Sequence, residues 1–81
     1  MSQKIKLEIA RKISACQSLA ITSHLRPDGD SIYTSLALAE MLELLGKKVQ
    51  VVNHDPLPFP FYEFPETARI RQGQIDPEGV D

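Results

Sequence analysis

Leu19-Ala20-Ile21-Thr22-Ser23-His24-Leu25-Arg26-Pro27-Asp28-Gly29-Asp30-Ser31 carries an apolar run straight into a polar loop. Leu19 to Thr22 is short enough to be a strand or a buried helical turn by pattern alone. The proline and glycine that follow decide for a strand ending near Ser23. His24 to Asp30 then reads as a loop, because Pro27 lacks an amide donor and Gly29 permits positive φ. From Ser31 to Leu45 the chain is helical in pattern. Glu40, Glu43 and Lys47 fall on one stripe and nearly everything else is apolar, so this helix is expected to be largely covered, with Met41 on its buried face. Gly46 is a natural C-terminal stop, and Val49 to Val52 reads as a second strand.

Strand, loop, helix and strand make a βαβ unit with parallel strands and a right-handed crossover. Before it, Ile5, Ile9, Ile13 and Cys16 recur at helical spacing over about residues 3–16, with Ser2 as N-cap. This first helix is expected to cover the other face of the sheet. The fold class is therefore α/β, the beginning of an open parallel sheet. Such sheets bind ligands just beyond the carboxyl ends of their strands, which is where His24 to Asp30 lies. After the second strand, three of the six prolines fall within residues 54–62, so a long helix or inner strand is excluded there. An aromatic loop with one helical turn near Phe61 to Phe64 is expected, then a short edge strand over residues 68–71, then a loop from Ile75 to Asp81.

The totals set bounds. With 81 residues there is room for one small domain, residues 1–81. A chain of about this size buries only about 60% of its unfolded surface. Net charge is −2 and the pI about 5.6, which argues against non-specific binding to long nucleic acid. Cys16 is the only cysteine, so no intrachain disulfide exists and a cytoplasmic setting is expected. No run has the length of a membrane span, and the N-terminus lacks the apolar stretch of a signal peptide.

The loop concentrates the chemistry: one imidazole and two carboxylates within seven residues, at a strand end. Two carboxylates so close repel each other unless a positive charge lies between them. A divalent cation supplies it, and mixed imidazole and carboxylate ligands suit Mn²⁺, Fe²⁺ or Zn²⁺ better than Ca²⁺. The helix N-terminus after Asp30 adds free amides and partial positive charge. A plainer reading stands beside this one: Asp30 or Ser31 caps the helix, Asp28-Gly29 makes a turn, and His24 is a loop histidine. An EF-hand fails at Ile32, Tyr33 and Ala39. A dehalogenase-type Asp-x-Asp would follow the strand without Leu25-Arg26-Pro27 between, and no glycine-rich phosphate loop is present.

Ile21 to Ile32, with Ser35-Leu36-Ala37-Leu38 after it, resembles the first motif of the DHH-superfamily phosphoesterases, a group that includes RecJ exonucleases, family II pyrophosphatases and exopolyphosphatases. Gly46-Lys47-Lys48-Val49 and Val52-Asn53-His54-Asp55-Pro56 are most similar to its oligoribonuclease and 3′-phosphoadenosine-5′-phosphate phosphatase branch. The likeness runs from about Lys12 to Ile75. It implies the N-terminal βαβ portion of a DHH domain and a two-metal hydrolase that usually takes Mn²⁺. His24 and Asp28 would bind one ion and Asp30 the other. Such a pair clamps a phosphoryl group and activates a bridging water. Arg26 is a candidate contact to a substrate phosphate, or a solvated loop arginine. His54 lines the substrate cleft, or forms the turn before Pro56. Phe59, Phe61, Tyr62 and Phe64 either stack on bases or cover the sheet edge as core.

Four features depart from the family. The second motif, the Asp-His-His motif and the C-terminal substrate domain are absent from the sequence. Tyr33 stands where the family usually has glycine or another small residue; it either crowds the site or lies against the aromatic loop. The expectation is thus an incomplete DHH domain that holds Mn²⁺ weakly and does not turn over alone. The parent activity would act on short oligoribonucleotides or 3′-phosphoadenosine-5′-phosphate, with cyclic dinucleotides or pyrophosphate as alternatives. The rival reading is a non-catalytic interaction module. Either should self-associate through an exposed apolar sheet edge.

Overall fold

The computed structural model describes residues 2–23 and 27–81. Its first element is α1 (Gln3–Ala15), capped by Ser2, whose hydroxyl accepts the Ile5 amide at 3.2 Å. Next come β1 (Ser18–Ile21), α2 (Gly29–Leu44), β2 (Lys48–Asn53) and β3 (Ile70–Gln72). The strands form one parallel sheet in the order β1-β2-β3, with Ile21 opposite Val51 and Val51 opposite Ile70. The mixed α/β architecture with a small open parallel sheet is as the periodicity indicates.

The core is Ile32, Leu36, Ala39 and Leu42 of α2 with Val51 and Val52 of β2. Ile32, Leu36, Ala39 and Leu42 recur at steps of four, three and three residues, so they share one stripe of the helix. The expectation that α2 is largely covered is corrected. Its other side leaves Met41 62% and Leu44 87% exposed, so Met41 is not on the buried face. α1 is a second correction, since none of its residues is buried and it does not blanket the sheet. It is tied at its C-terminal end by Lys47, whose ammonium donates to the carbonyls of Ser14 (3.2 Å) and Cys16 (2.6 Å). These are carbonyls without an intrahelical partner, and a cation there also meets the negative end of the helix dipole. Cys16 is the half-buried C-cap of this helix.

Gly46 stops α2 in the left-handed region, at φ +87°, and its amide donates to the Glu43 carbonyl at 2.9 Å. After β2, Pro56 to Pro60 run without regular structure into short 3₁₀ turns at Phe61–Glu63 and Pro65–Arg69. The Arg69 guanidinium reaches back to Glu43 of α2 with two hydrogen bonds, at 2.7 and 3.0 Å. A last 3₁₀ turn, Pro77–Gly79, is held by Gln50, whose side chain donates to the Asp76 carbonyl and accepts the Asp76 amide, both at 3.0 Å. Among the described residues no helix is long and apolar enough to cross a membrane.

Candidate functional site

Three parallel strands put three carboxyl ends on one edge of the sheet. Thr22 and Ser23 leave β1 there, His54 follows β2 and Gly73 follows β3. α2 begins at the same edge, so the residues of its first turn are delivered to the place where open α/β sheets bind ligands.

The start of α2 differs from the sequence reading in a way that bears on the site. Asp28, not Asp30 or Ser31, is the N-cap. Its Oδ1 accepts the Ser31 amide at 2.9 Å, while the Asp28 amide donates to Ser31 Oγ at 3.0 Å, which closes a capping box. Gly29 is therefore the first helical residue rather than a loop residue, and it is not among the positive-φ glycines. Its reason is space. A Cβ built on Gly29 would lie 3.1 Å from Cζ of Phe61, closer than ordinary van der Waals contact. Asp30 sits exposed in the first helical turn. Its carboxylate lies among amides that lack intrahelical acceptors, where negative charge is favoured.

Of the residues singled out by sequence, Asp28 and Asp30 are thus placed at the carboxyl edge, two positions apart. On a helix such a pair points in different directions rather than converging. His24 and Arg26 lie outside the described residues. His54 is exposed and lines an open cleft of about 530 Å³ with Thr22, Val52 and Gln72 to Ile75. Among the described residues no group of three or more His, Cys, Asp or Glu side chains is close enough to hold a metal ion. The donor chemistry of the two aspartates nonetheless fits a hard divalent cation. A carboxylate has two oxygens and about four acceptor sites, so capping a helix and ligating a metal are compatible.

Tyr33 does not crowd this edge. Its ring packs edge-to-face on Phe61 at 6.3 Å between centroids, and its hydroxyl donates to Glu66 at 3.1 Å. Partial desolvation, and then the bond and charge of Glu66, raise the phenol above its ordinary pKa. Phe61 also meets Phe64 edge-to-face at 6.2 Å. The other aromatics correct the expectation of a core: Phe59 and Tyr62 are largely exposed, and they meet each other at 6.1 Å.

Asn53 lies in a stretch that carries the family resemblance but is not among the site residues read from the sequence, yet it is the most buried polar group at this edge. It is 1% exposed. Its Oδ1 accepts both the amide (3.3 Å) and the hydroxyl (3.1 Å) of Ser23, fixing the exit of β1. The available signal was a polar residue ending the apolar run of β2 at the carboxyl edge. No known protein family, curated protein or solved structure matches this chain.

Proposed function

We propose that this chain carries the first metal-binding motif of a DHH-type phosphoesterase, with Asp28, Asp30 and His24 as ligands to Mn²⁺. The observation that supports this most is the placement of Asp28 and Asp30 at the head of α2, beyond the carboxyl ends of three parallel strands. Each carboxylate keeps oxygen acceptors that can ligate a cation, and amides of the first turn remain near for a phosphate. Held by Asp28, Asp30 and His24, Mn²⁺ would supply polarisation of a phosphoryl group and a more acidic bound water. The substrate class would be short oligoribonucleotides or nucleoside phosphates, and the setting cytoplasmic. The sequence contains no second carboxylate motif to bridge two ions. The chain should therefore bind Mn²⁺ with water completing the coordination and show no turnover alone.

Calorimetric titration of Mn²⁺ into the chain tests this, beside an Asp28→Asn, Asp30→Asn double variant, which keeps a capping side chain at position 28. The same samples are assayed on a short oligoribonucleotide. Binding that the variant loses, without turnover, supports the reading. Equal titrations for the two proteins would remove it. A second reading, a non-catalytic interaction module, draws support from the exposed Leu38, Met41, Leu44 and Leu45 on the outer face of α2. It predicts no Mn²⁺ binding and a partner on that face.

A further inference from the structure

We infer that Asn53 is a positioning residue for the metal site, its side chain fixing the strand exit from which His24 is offered to Mn²⁺. This role rests on the phosphoesterase reading for its metal, while the contacts stand without it. β1 and β2 pair as far as Ile21 and Val51. Ser23 and Asn53 each stand two residues beyond that last pair, where the backbone ladder between the two strands has ended. The Asn53 side chain takes over there. The Ser23 amide can only donate, so the atom that meets it is Oδ1, and the Ser23 hydroxyl donates to the same oxygen. On the other side, the Asn53 carbonyl accepts the Gly73 amide at 2.9 Å, just past β3. One residue of the central strand thus ties the exits of both neighbouring strands.

An amide at this position has a cost that packing does not explain. The residue is all but fully buried, and its Nδ2 has no partner among the described residues. A stranded buried donor is destabilising, and a leucine, with the same branched outline, would carry none. What leucine lacks is the acceptor for Ser23. The use of that acceptor follows from what comes next in the chain, because His24 directly follows Ser23. The far end of the loop is held as well. Pro27 is buried, and Asp28 is locked by its capping box with Ser31. Ligands are therefore offered from two fixed ends a few residues apart. Holding both ends in advance lowers the ordering cost of assembling them around an ion. Side chains that hold metal ligands in place contribute roughly 10- to 100-fold to metal affinity.

The test is Mn²⁺ calorimetry on the full chain and on its Asn53→Leu, Ser23→Ala and Ser23→Thr variants, at a temperature where urea curves show each to be folded. Asn53→Leu should weaken Mn²⁺ binding about tenfold. Ser23→Ala, which removes only the hydroxyl bond, should weaken it less. Ser23→Thr, which restores a hydroxyl, should recover the affinity of the unsubstituted chain. Because every protein measured is folded, a residue that served stability alone would leave the affinity unchanged. If Asn53→Leu does not fold, the two Ser23 variants decide. Equal Mn²⁺ affinities across the folded variants would overturn the positioning role and leave the metal reading standing, as would a Ser23→Thr chain that binds no tighter than Ser23→Ala. An unsubstituted chain that does not bind Mn²⁺ removes the metal reading and the positioning role with it, so the two failures are read from different samples.

Discussion

Asp28 holds the head of α2 through its bond to the Ser31 amide, so removing it has a structural cost whatever else its carboxylate does. Asp28→Ala should lower stability by about 1 kcal/mol in urea denaturation, while Asp28→Asn should be nearly neutral, since asparagine caps as well as aspartate. A loss of Mn²⁺ affinity in the asparagine variant at unchanged stability would separate ligation from capping. Gly29, beside it, has a different constraint. Alanine is ordinarily the better helix former, by up to about 1 kcal/mol. Here the added methyl meets Phe61, which Tyr33 and Phe64 hold by edge-to-face contacts. Gly29→Ala should therefore destabilise the chain by about 1 kcal/mol, the order of cost of overpacking. In a Phe61→Leu background the penalty should shrink, and a double-mutant cycle measures the coupling. An unchanged penalty would place the cost in the backbone rather than in the ring.

Between elements, two side chains reach across the fold. Lys47 donates to the last carbonyls of α1, which has no buried residue of its own to fix it. Lys47→Met should increase amide hydrogen exchange in α1 well above that in α2. Glu43 of α2 is paired with Arg69, and the hydrogen bond from Arg69 lowers the glutamate pKa. A lowered folded-state value means the stabilisation is present above the usual carboxyl value of about 4.3 and is lost as pH falls through the lower one. Glu43→Gln should flatten the loss of stability on acidification below that point, as read by denaturant midpoints against pH. The order and type of these elements were legible in the chain: Ser2 and Gly46 mark helix ends by capping chemistry, and Pro27 with Gly29 separates β1 from α2. The buried side of α2 was not. Leu38, Met41, Leu44 and Leu45 are as apolar as Leu36 and Leu42, and the narrow polar stripe of Glu40, Glu43 and Lys47 has apolar residues on both sides, so it does not choose between them. At the candidate site, Asp28 and Asp30 were visible as carboxylates beside a helix start. Which of them caps depended on where the helix begins, and the Asn53 bond to Ser23 spans 30 residues, beyond any local pattern.

At the scale of the molecule, the radius of gyration is 13.4 Å, against about 12 Å for a compact domain of this length. The excess agrees with an α1 that has no buried residue and an α2 apolar on both sides. Exposed apolar surface of this kind is a contact site when contiguous. Leu38, Met41 and Leu45 follow steps of three and four residues, so they form one stripe, with Leu44 beside it. The two helices are also complementary in charge. α1 carries Lys4, Lys6, Arg11 and Lys12 against Glu8, and α2 carries Asp30, Glu40 and Glu43 with no basic residue. A second copy of the chain can set its α1 on this α2 stripe and offer its own α2 in return, so the contact closes as a two-fold dimer. Sedimentation should show a concentration-dependent dimer, and Met41→Lys with Leu44→Glu should leave a monomer of unchanged stability, because both residues are exposed. Lys12→Glu should weaken the dimer and Glu40→Lys should restore it in the same chain if the helices meet in this pairing. A monomer at every concentration would exclude the contact, and a dimer indifferent to both α2 substitutions would move it to another surface, the open edge of β1 being the next to examine.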